Sequence, residues 1–461
     1  MKFSRHFLPS IRCLAGAVWS LALACSAAGA GPTGGLPASR PIRVVRTLHL
    51  EQPSLLEEAV VSWVGYVSPD RNILMEAITF GGQRGYYFTI RGQNARDFHP
   101  REPLLRRSRD NGRTWENCGT WAAETPIHGP WKLDTEGPNI ICNPKTGTLL
   151  RLYRTTETIA GLLPWIKGSP VSRTGLLWTQ LSRDGGATWS EPAQLVCQGA
   201  EFDPTHWAPE TWYGQNSGGI QGVDPVWLPD GRFLLPFFGT QETPPYGFRS
   251  SGLIGTWRRD DRGVDWTLTS SASLTPACSI NGGDEPSLAL LPDGRWLMTM
   301  RAYTPADVKL AVPSGKFYVT SADQGKTWSE PALLRFTDGR QVYCPSSLAH
   351  VFRVRKNGRL YLITNILDAP TVACDPRSTL QIAELDPASL RVRPETVTTI
   401  ETRDVAAGQP ETIRFSNWRR YEDRVTGNPV LLMTACPGNV GRYETCGVPP
   451  HSYRYELILP E

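Results

Sequence analysis

The protein has 461 residues, with 48 lysines and arginines against 44 aspartates and glutamates, for a formal net charge of +4. A balance so close to neutral gives no electrostatic reason to expect nucleic acid or an anionic membrane surface as a partner. Glycine (43 residues), proline (39) and tryptophan (16) are plentiful, and short apolar runs between turn signals predict many short strands.

Residues 1–30 have the features of a signal peptide. Lys2, Arg5 and Arg12 precede an apolar run, and the small residues "AGA" stand before Gly31. The apolar run is too short to span a bilayer stably. We therefore expect a secreted or periplasmic protein without a membrane span; a lipid anchor at Cys25, after "LALA", is the alternative.

Polar turns that contain glycine interrupt apolar runs along the chain, as in "WLPDGRFLLPFF" and "LLPDGRWLMTM". An Asp-Gly or Asn-Gly pair between apolar runs is a strong hairpin signal. A weaker turn near Asp70 comes first, and the later turns contain Gly147, Gly231, Gly294, Gly358 and Gly427. The sequence therefore predicts six hairpins.

A second motif recurs between the hairpins. "SRDNGRTW" begins at Ser108, "SRDGGATW" at Ser182 and "SADQGKTW" at Ser321, and an altered copy, "RDDRGVDW", ends at Trp266. In such a turn the aspartate accepts backbone N–H bonds, the glycine adopts a positive φ and the tryptophan packs on neighbouring strands. No copy contains a base or a nucleophile partner, so we interpret the motif as structural.

One hairpin and one capped turn per repeat predict a four-stranded sheet. Six such sheets in a ring make an all-β, six-bladed β-propeller, which we expect to occupy residues 42–461 as a monomer. Residues 42–51, "IRVVRTLHLE", are expected to add the closing strand to the last blade.

Eight cysteines follow the signal peptide, and none has the CxxC spacing of a zinc or redox site. Because export favours oxidation, we expect disulfides, with Cys436 and Cys446 as a pair that could form locally. The sequence offers no cluster of histidines or cysteines for a metal, and we expect no cofactor.

The S-x-D-x-G-x-T-W motif resembles the Asp-box of the sialidase (neuraminidase) superfamily, and the resemblance covers residues 45–461. It implies a glycoside hydrolase that acts on a glycan. In that family the boxes lie on the face away from the active site. The site contains three arginines that bind a carboxylate, an aspartate acid/base, and a tyrosine nucleophile polarised by a glutamate.

Several residues match this pattern. The resemblance places the glutamate at Glu285 and an arginine at Arg301, on the two strands of one hairpin, and the last arginine at Arg377. It places the acid/base at Glu136, with Asp134 as the alternative. Two guanidiniums on one carboxylate would form charge-assisted bonds that lysine could not reproduce.

Two departures weaken the pattern. No arginine lies near Ser62, where the family has its first, and Phe415 stands where the family has its tyrosine. Tyr421, Glu422 or Asp423 could supply the missing oxygen. Alternatively Glu285 or Asp423 could activate water in an inverting reaction.

A long aromatic segment, "DPTHWAPETWYGQNSGG", joins the second and third blades. Its aromatic side chains are candidates for a sugar-stacking platform, because function concentrates in such loops. These are Trp207, Trp212 and Tyr213, with His206 and Glu210 beside them.

Three functions agree with these features. The first is hydrolysis beside a sialic or uronic acid, with arginines that hold the carboxylate and carboxylates as acid and base. The second is a non-catalytic, glycan-binding propeller, which the absence of the tyrosine and the first arginine favours. The third is a uronate-directed lyase, in which a base removes a proton beside the neutralised carboxylate.

Overall fold

The computed structural model describes residues 41–52, 57–82, 102–122, 131–159, 173–221, 224–241, 247–306, 309–310, 312, 315–438 and 443–461. The predicted signal peptide, residues 1–30, lies outside this part, so export stays a prediction.

Six antiparallel sheets form the blades of a β-propeller, and the predicted fold is confirmed. In the order in which they pair, the strands of blade 1 are Glu57–Tyr66, Leu74–Gly82, Leu104–Ser108 and Glu116–Thr120. Those of blade 2 are Trp131–Cys142, Leu149–Ile159, Arg173–Ser182 and Ala193–Gln194. Blade 3 begins with Gly218–Ile220 and Val226–Trp227, which both pair with the next strand, and continues with Phe233–Gln241, Gly247–Trp257 and Val264–Leu268.

The second half of the chain forms the other three blades. Blade 4 contains Asp284–Leu290, Trp296–Arg301, Lys316–Ser321 and Ala332–Leu333. Blade 5 contains His350–Arg353, Leu360–Thr364 and Thr379–Asp386, and its third strand pairs with both Arg391–Val392 and Thr398–Thr402. Blade 6 contains Arg419–Glu422, Pro429–Thr434, Ser452–Ile458 and Arg43–Leu50. Three short elements complete the described structure: a hairpin of His206–Ala208 with Thr211–Trp212, a 3₁₀ turn at Pro394–Thr396, and one helical turn at Tyr443–Cys446.

The ring is closed by the N-terminal strand. Arg43–Leu50 pairs antiparallel with Ser452–Ile458, in a register that sets Arg43 opposite Ile458. The prediction that this segment closes the last blade is confirmed.

The propeller has two distinct faces. In blade 4, Asp284 pairs with Arg301, and Arg301 pairs with Lys316, so the start of the first strand lies beside the end of the second and the start of the third. We call this side the loop face. The turn at residues 292–294 and the Asp-box at residues 321–328 lie at the opposite ends of the same strands, on what we call the box face.

The three complete Asp-boxes form the expected hydrogen-bond network. In the second, Asp184 accepts bonds from the Ser182 hydroxyl (2.8 Å) and from the backbone N–H (2.9 Å) and hydroxyl (2.5 Å) of Thr188. The indole N–H of Trp189 donates to the carbonyl of Gly186 (3.1 Å). These bonds lower the pKa of Asp184, and the motif is structural, as its residues indicated.

The segment "RDDRGVDW", interpreted as an altered box, keeps only part of the box geometry. It is a hairpin turn, in which the Arg258 N–H donates to the Gly263 carbonyl (3.0 Å). Asp261 has a positive φ and accepts bonds from the Asn143 amide (2.9 Å) and the Thr148 hydroxyl of blade 2. Trp266 lies within the following strand, only 4% exposed. The spacing survives in the sequence, but without the serine and threonine hydroxyls the box network cannot form.

In the boxes that begin at Ser108 and Ser321, the residue before the glycine joins its blade to the preceding one. Asn111 and Gln324 both have a positive φ, which turns their side chains out of the box. The Asn111 amide donates to Asp423 in blade 6 (2.6 Å), and Gln324 accepts a bond from Arg232 in blade 3 (2.7 Å). These boxes therefore also connect neighbouring blades.

Two further predictions concern disulfides and membrane-spanning helices. The structure forms no disulfide among the cysteines it describes, so the expected disulfides, including Cys436 with Cys446, are not found. Cys446 is instead buried with its Sγ beside the carbonyl oxygens of Tyr443 and Val448. Within the described ranges, no helix has the length and apolar character needed to cross a bilayer.

We expect Asn111→Gly to lower the free energy of unfolding by about 1–3 kcal/mol, because it removes a hydrogen bond to a buried carboxylate. Asn111 and Asp423 are each 1% exposed, and glycine accepts the positive φ without strain. The matched control is Gln324→Gly, at the same position of an exposed box, which should cost less than about 0.5 kcal/mol. Urea unfolding measures both; equal losses would contradict the prediction.

Candidate active site on the loop face

An ion pair between Glu285 and Arg301 lies at the loop face of blade 4. The Arg301 Nη1 is 2.7 Å from the Glu285 Oε1, and the two side chains are 15% and 21% exposed. These residues, which sequence analysis assigned to one hairpin, are in direct contact.

The backbone at Glu285 is unusual. Its φ is +41°, and the pairing register shifts between Asp284 and Ser287. A positive φ is rare for a residue with a side chain, and such strain concentrates at functional sites.

Blade 5 fixes the orientation of Arg301. The Arg301 Nε donates to the Ser346 hydroxyl (2.7 Å), and its Nη2 lies 3.4 Å from the Cys374 Sγ. The guanidinium is therefore held by residues of two blades, and it lies at their junction.

The two neighbouring carboxyl groups have opposite pKa shifts. Burial alone would raise the pKa of Glu285, but the positive charges of Arg301, Arg377 and Lys316 together hold it below its usual value. Burial, reinforced by the negative charge of Glu285, raises the pKa of Asp284 to about 6. Such a split in protonation is what acid and base roles require.

A cavity of about 180 Å³ opens beside this pair. It is lined by Phe248, Asn281, Gly282, Asp284, Arg301 and Tyr303. Asp284 and Tyr303 are not among the site residues predicted from the sequence. The signal for Asp284 was its position directly before Glu285, in "GGDEPS".

Arg377, predicted from the resemblance to bind a carboxylate, is enclosed by protein groups in this structure. Its side chain is 1% exposed. It donates to the carbonyl oxygens of Cys374 and Ser346 (2.7 Å each) and to the Ser416 hydroxyl (3.2 Å). Protein acceptors surround this guanidinium, and its positive charge acts on Glu285.

Glu136 belongs to a different ion pair, in blade 2. Its Oε2 lies 3.4 Å from the Arg154 Nη1, and its side chain is 38% exposed. Arg154 also donates to the Ser217 hydroxyl (3.0 Å), which links the pair to blade 3. The alternative, Asp134, lies in a part of its strand whose side chains are not described.

The roles predicted for Tyr421 and Asp423 are wrong. Asp423 is at the turn after the first strand of blade 6, on the box face, where it accepts the Asn111 amide and the N–H groups of Val425 and Thr426. Tyr421 is 2% exposed, in an apolar cluster that joins blades 6 and 1. Neither side chain reaches the loop face.

Two positions where the chain departs from the sialidase pattern can now be described. Phe415 is 5% exposed, in the apolar core, and its N–H donates to the Arg377 carbonyl (2.9 Å). At the position of the missing first arginine, the Ser62 carbonyl accepts a bond from Arg419 of blade 6. An arginine thus reaches this position from another strand, which spacing within blade 1 could not reveal.

Only part of the predicted sugar-stacking platform is accessible to a ligand. Trp207 is fully buried and packs edge-on against Phe237, with ring centroids 6.0 Å apart, so its predicted contact with a sugar is wrong. Trp212 is half-buried, and His206 stacks on one face of its indole, with centroids 4.3 Å apart. At most the other face of Trp212 remains for a ligand.

A family model described as "BNR repeat-like domain" matches residues 134–403. The chain belongs to this family. Among solved structures, a protein of unknown function from Dyadobacter fermentans is similar to this BNR-repeat chain at 17% identity, with a TM-score of 0.58 over 91% of this chain and 99% of that one.

Two solved glycosidases share the fold of this BNR-repeat protein. The NanB sialidase of Streptococcus pneumoniae is 12% identical, with a TM-score of 0.54 over 92% of this chain and 71% of that one. The GH93 α-L-arabinofuranosidase of Fusarium graminearum is 11% identical, with a TM-score of 0.52 over 90% and 97%. The BNR propeller is therefore sialidase-like in fold.

We expect Arg377→Met to lower the free energy of unfolding by about 3 kcal/mol or more, because it leaves buried hydrogen-bond acceptors unsatisfied. The control is Arg340→Met, at an arginine whose side chain is 68% exposed, which should change stability by less than about 0.5 kcal/mol. Thermal and urea unfolding measure the difference; a fully stable Arg377→Met protein would contradict the structural role.

Proposed function

We propose that this BNR-repeat protein is a glycoside hydrolase that cleaves a glycan beside an acidic sugar, a sialic or uronic acid, at the cavity of blade 4. The observation that carries the proposal is the pair of adjacent carboxyl groups with opposite pKa shifts, Asp284 and Glu285, beside Arg301. We propose that it acts as an exported monomer.

Asp284 is suited to the role of proton donor. Cleavage of a glycosidic bond requires a carboxylic acid that protonates the leaving oxygen and a second carboxylate in its ionised form. Asp284 lines the cavity and keeps its proton up to a pH of about 6. Glu285, whose pKa is lowered, is ionised in the same range.

A water molecule is the favoured nucleophile. Phe415 has no oxygen, and Tyr421 lies in the core between blades 6 and 1. We therefore propose that Glu285 activates water, and that the anomeric configuration is inverted.

The charge balance supports an anionic sugar. When Asp284 is protonated, the negative charge of Glu285 faces the positive charges of Arg301, Arg377 and Lys316. The pKa of Lys316 is lowered to about 8, so it is still charged at pH 6. The excess positive charge attracts an anion, and Arg301 is the cation on the cavity wall that can bind its carboxylate.

The shared fold of the sialidase and the arabinofuranosidase supports a glycosidase in general. The second of these acts on a neutral sugar, as its name and its complex with arabinobiose state. A neutral arabino-oligosaccharide is therefore a necessary comparison in any substrate screen.

Release of sugar from sialylated, uronate-containing and neutral arabino-oligosaccharides tests the proposal. We expect turnover of an acidic glycan, and a loss of at least about 100-fold in kcat for Asp284→Asn and for Glu285→Gln, since acid–base catalysis typically contributes that much. Asp293→Asn, at the box-face turn of the same blade, is the control and should keep its activity. Proton NMR during turnover identifies the anomer released first.

The alternatives give different outcomes. A glycan-binding propeller would bind without releasing sugar, and Glu285→Gln would have no turnover to remove. A lyase would form an unsaturated product that absorbs in the ultraviolet. If activity depends on Glu136 but not on Asp284 or Glu285, the reaction takes place at the blade 2 ion pair instead.

We expect kcat to fall as the pH rises through about 6, because Asp284 then loses the proton that it donates. The same shift affects folding: the native state binds this proton more tightly than the unfolded chain does, so its contribution to stability is present at low pH and is lost as the pH rises through about 6. Initial rates between pH 4 and 8 on the best substrate measure the activity profile. A rate that keeps rising above pH 7 would contradict the proposal that Asp284 is the acid.

A further inference from the structure

Lys316 is a buried cation below the candidate site. It is the first residue of the third strand of blade 4 and is 1% exposed. Its Nζ donates to the carbonyl oxygens of Pro345 (3.3 Å) and Ser347. Among the described residues, these neutral oxygens are its only direct partners.

Burial of an ammonium group is costly unless an opposite charge compensates it. Two carbonyl oxygens satisfy part of its hydrogen-bonding capacity but do not neutralise it. A methionine of similar length would fill the same space without that cost. Packing alone therefore does not explain why a lysine occupies this position.

The sheet register shows what the charge faces. Lys316 is directly opposite Arg301, and Arg301 is directly opposite Asp284, so the three lie in one row across three strands. Residues that are opposite each other in an antiparallel sheet point to the same side. Glu285 is the next residue along the first strand, and it interacts electrostatically with Lys316.

We propose that Lys316 is a positioning residue for the reaction: from its buried place in the row with Arg301 and Asp284, its positive charge stabilises the negative charge of Glu285 and that of the Asp284 carboxylate. The inference rests on the proposed function and adds to it a residue that touches neither the substrate nor the cavity.

Each group around Lys316 responds to its charge. The carboxylates of Asp284 and Glu285, from the first strand, are stabilised in their ionised forms. Arg301, from the second strand, and Arg377, from the loop of blade 5, are repelled, while a thiolate at Cys344 would be attracted. Removal of the charge should therefore raise the pKa of both carboxyl groups.

The test is Lys316→Met, which removes the charge and keeps the length of the side chain. If the proposal is correct, the rise of activity on the acid side and its fall on the alkaline side both move to higher pH by about half a unit to one unit. Each of the two reports one carboxyl of a coupled pair. Lys316→Arg keeps the positive charge, so it should give the same pH–activity profile as the unmodified protein. Lys326→Met, at the exposed Asp-box of the same blade, is the matched control and should leave the profile unchanged.

Carboxyl ¹³C NMR titration tests the same inference without a substrate. The signals of Asp284 and Glu285 are assigned from their disappearance in Asp284→Asn and Glu285→Gln. If the protein proves inactive, the proposed function fails, but a raised pKa of both carboxyls in Lys316→Met still supports the electrostatic role. A folded variant with both titrations unchanged overturns it.

A second variant covers the case in which Lys316→Met does not fold. Lys316→Gln is neutral but keeps an N–H donor for the carbonyl oxygens of Pro345 and Ser347. The same upward shift is expected in this variant. A profile and a titration equal to those of the unmodified protein would show that Lys316 has only a structural role.

Discussion

The structure depends on the pairing of two strands from opposite ends of the chain, Arg43–Leu50 and Ser452–Ile458. Loops from six blades can face one axis only if the ring is closed, and these backbone hydrogen bonds close it within blade 6. The contact of Asn111 with Asp423 supports the same junction between blades 6 and 1. The ring is therefore closed by contacts between residues that are hundreds of positions apart in sequence, whereas the candidate site itself is formed within blades 4 and 5.

The architecture could be predicted because its signals are local. A turn with Asp-Gly between apolar runs specifies a hairpin, and a serine, an aspartate and a threonine at fixed spacing specify the Asp-box, whatever the rest of the chain does. The fourth copy shows the limit of this reasoning. In "RDDRGVDW" the aspartate and tryptophan keep their spacing, but the hydroxyls that form the network are absent, and Trp266 lies within a strand.

The candidate site was only partly predictable. Glu285 and Arg301 meet because one hairpin brings them together, so their spacing was informative. Arg377 and Trp207 have the right chemistry for a ligand, yet both are buried, and burial is decided by tertiary packing that a single sequence does not display. The raised pKa of Asp284 could not be predicted for the same reason, since it arises from burial and from the charge of Glu285.

The closing strand also fixes where the ends of the folded chain lie. Arg43 is opposite Ile458, and the Pro460 carbonyl accepts a bond from Asn357, in the box-face turn of blade 5. Both ends of the ring therefore leave it close together, near the face that bears the Asp-boxes. A fused partner joined directly at Arg43 or after Glu461 would start from that side, opposite the face on which the opening beside Arg301 lies.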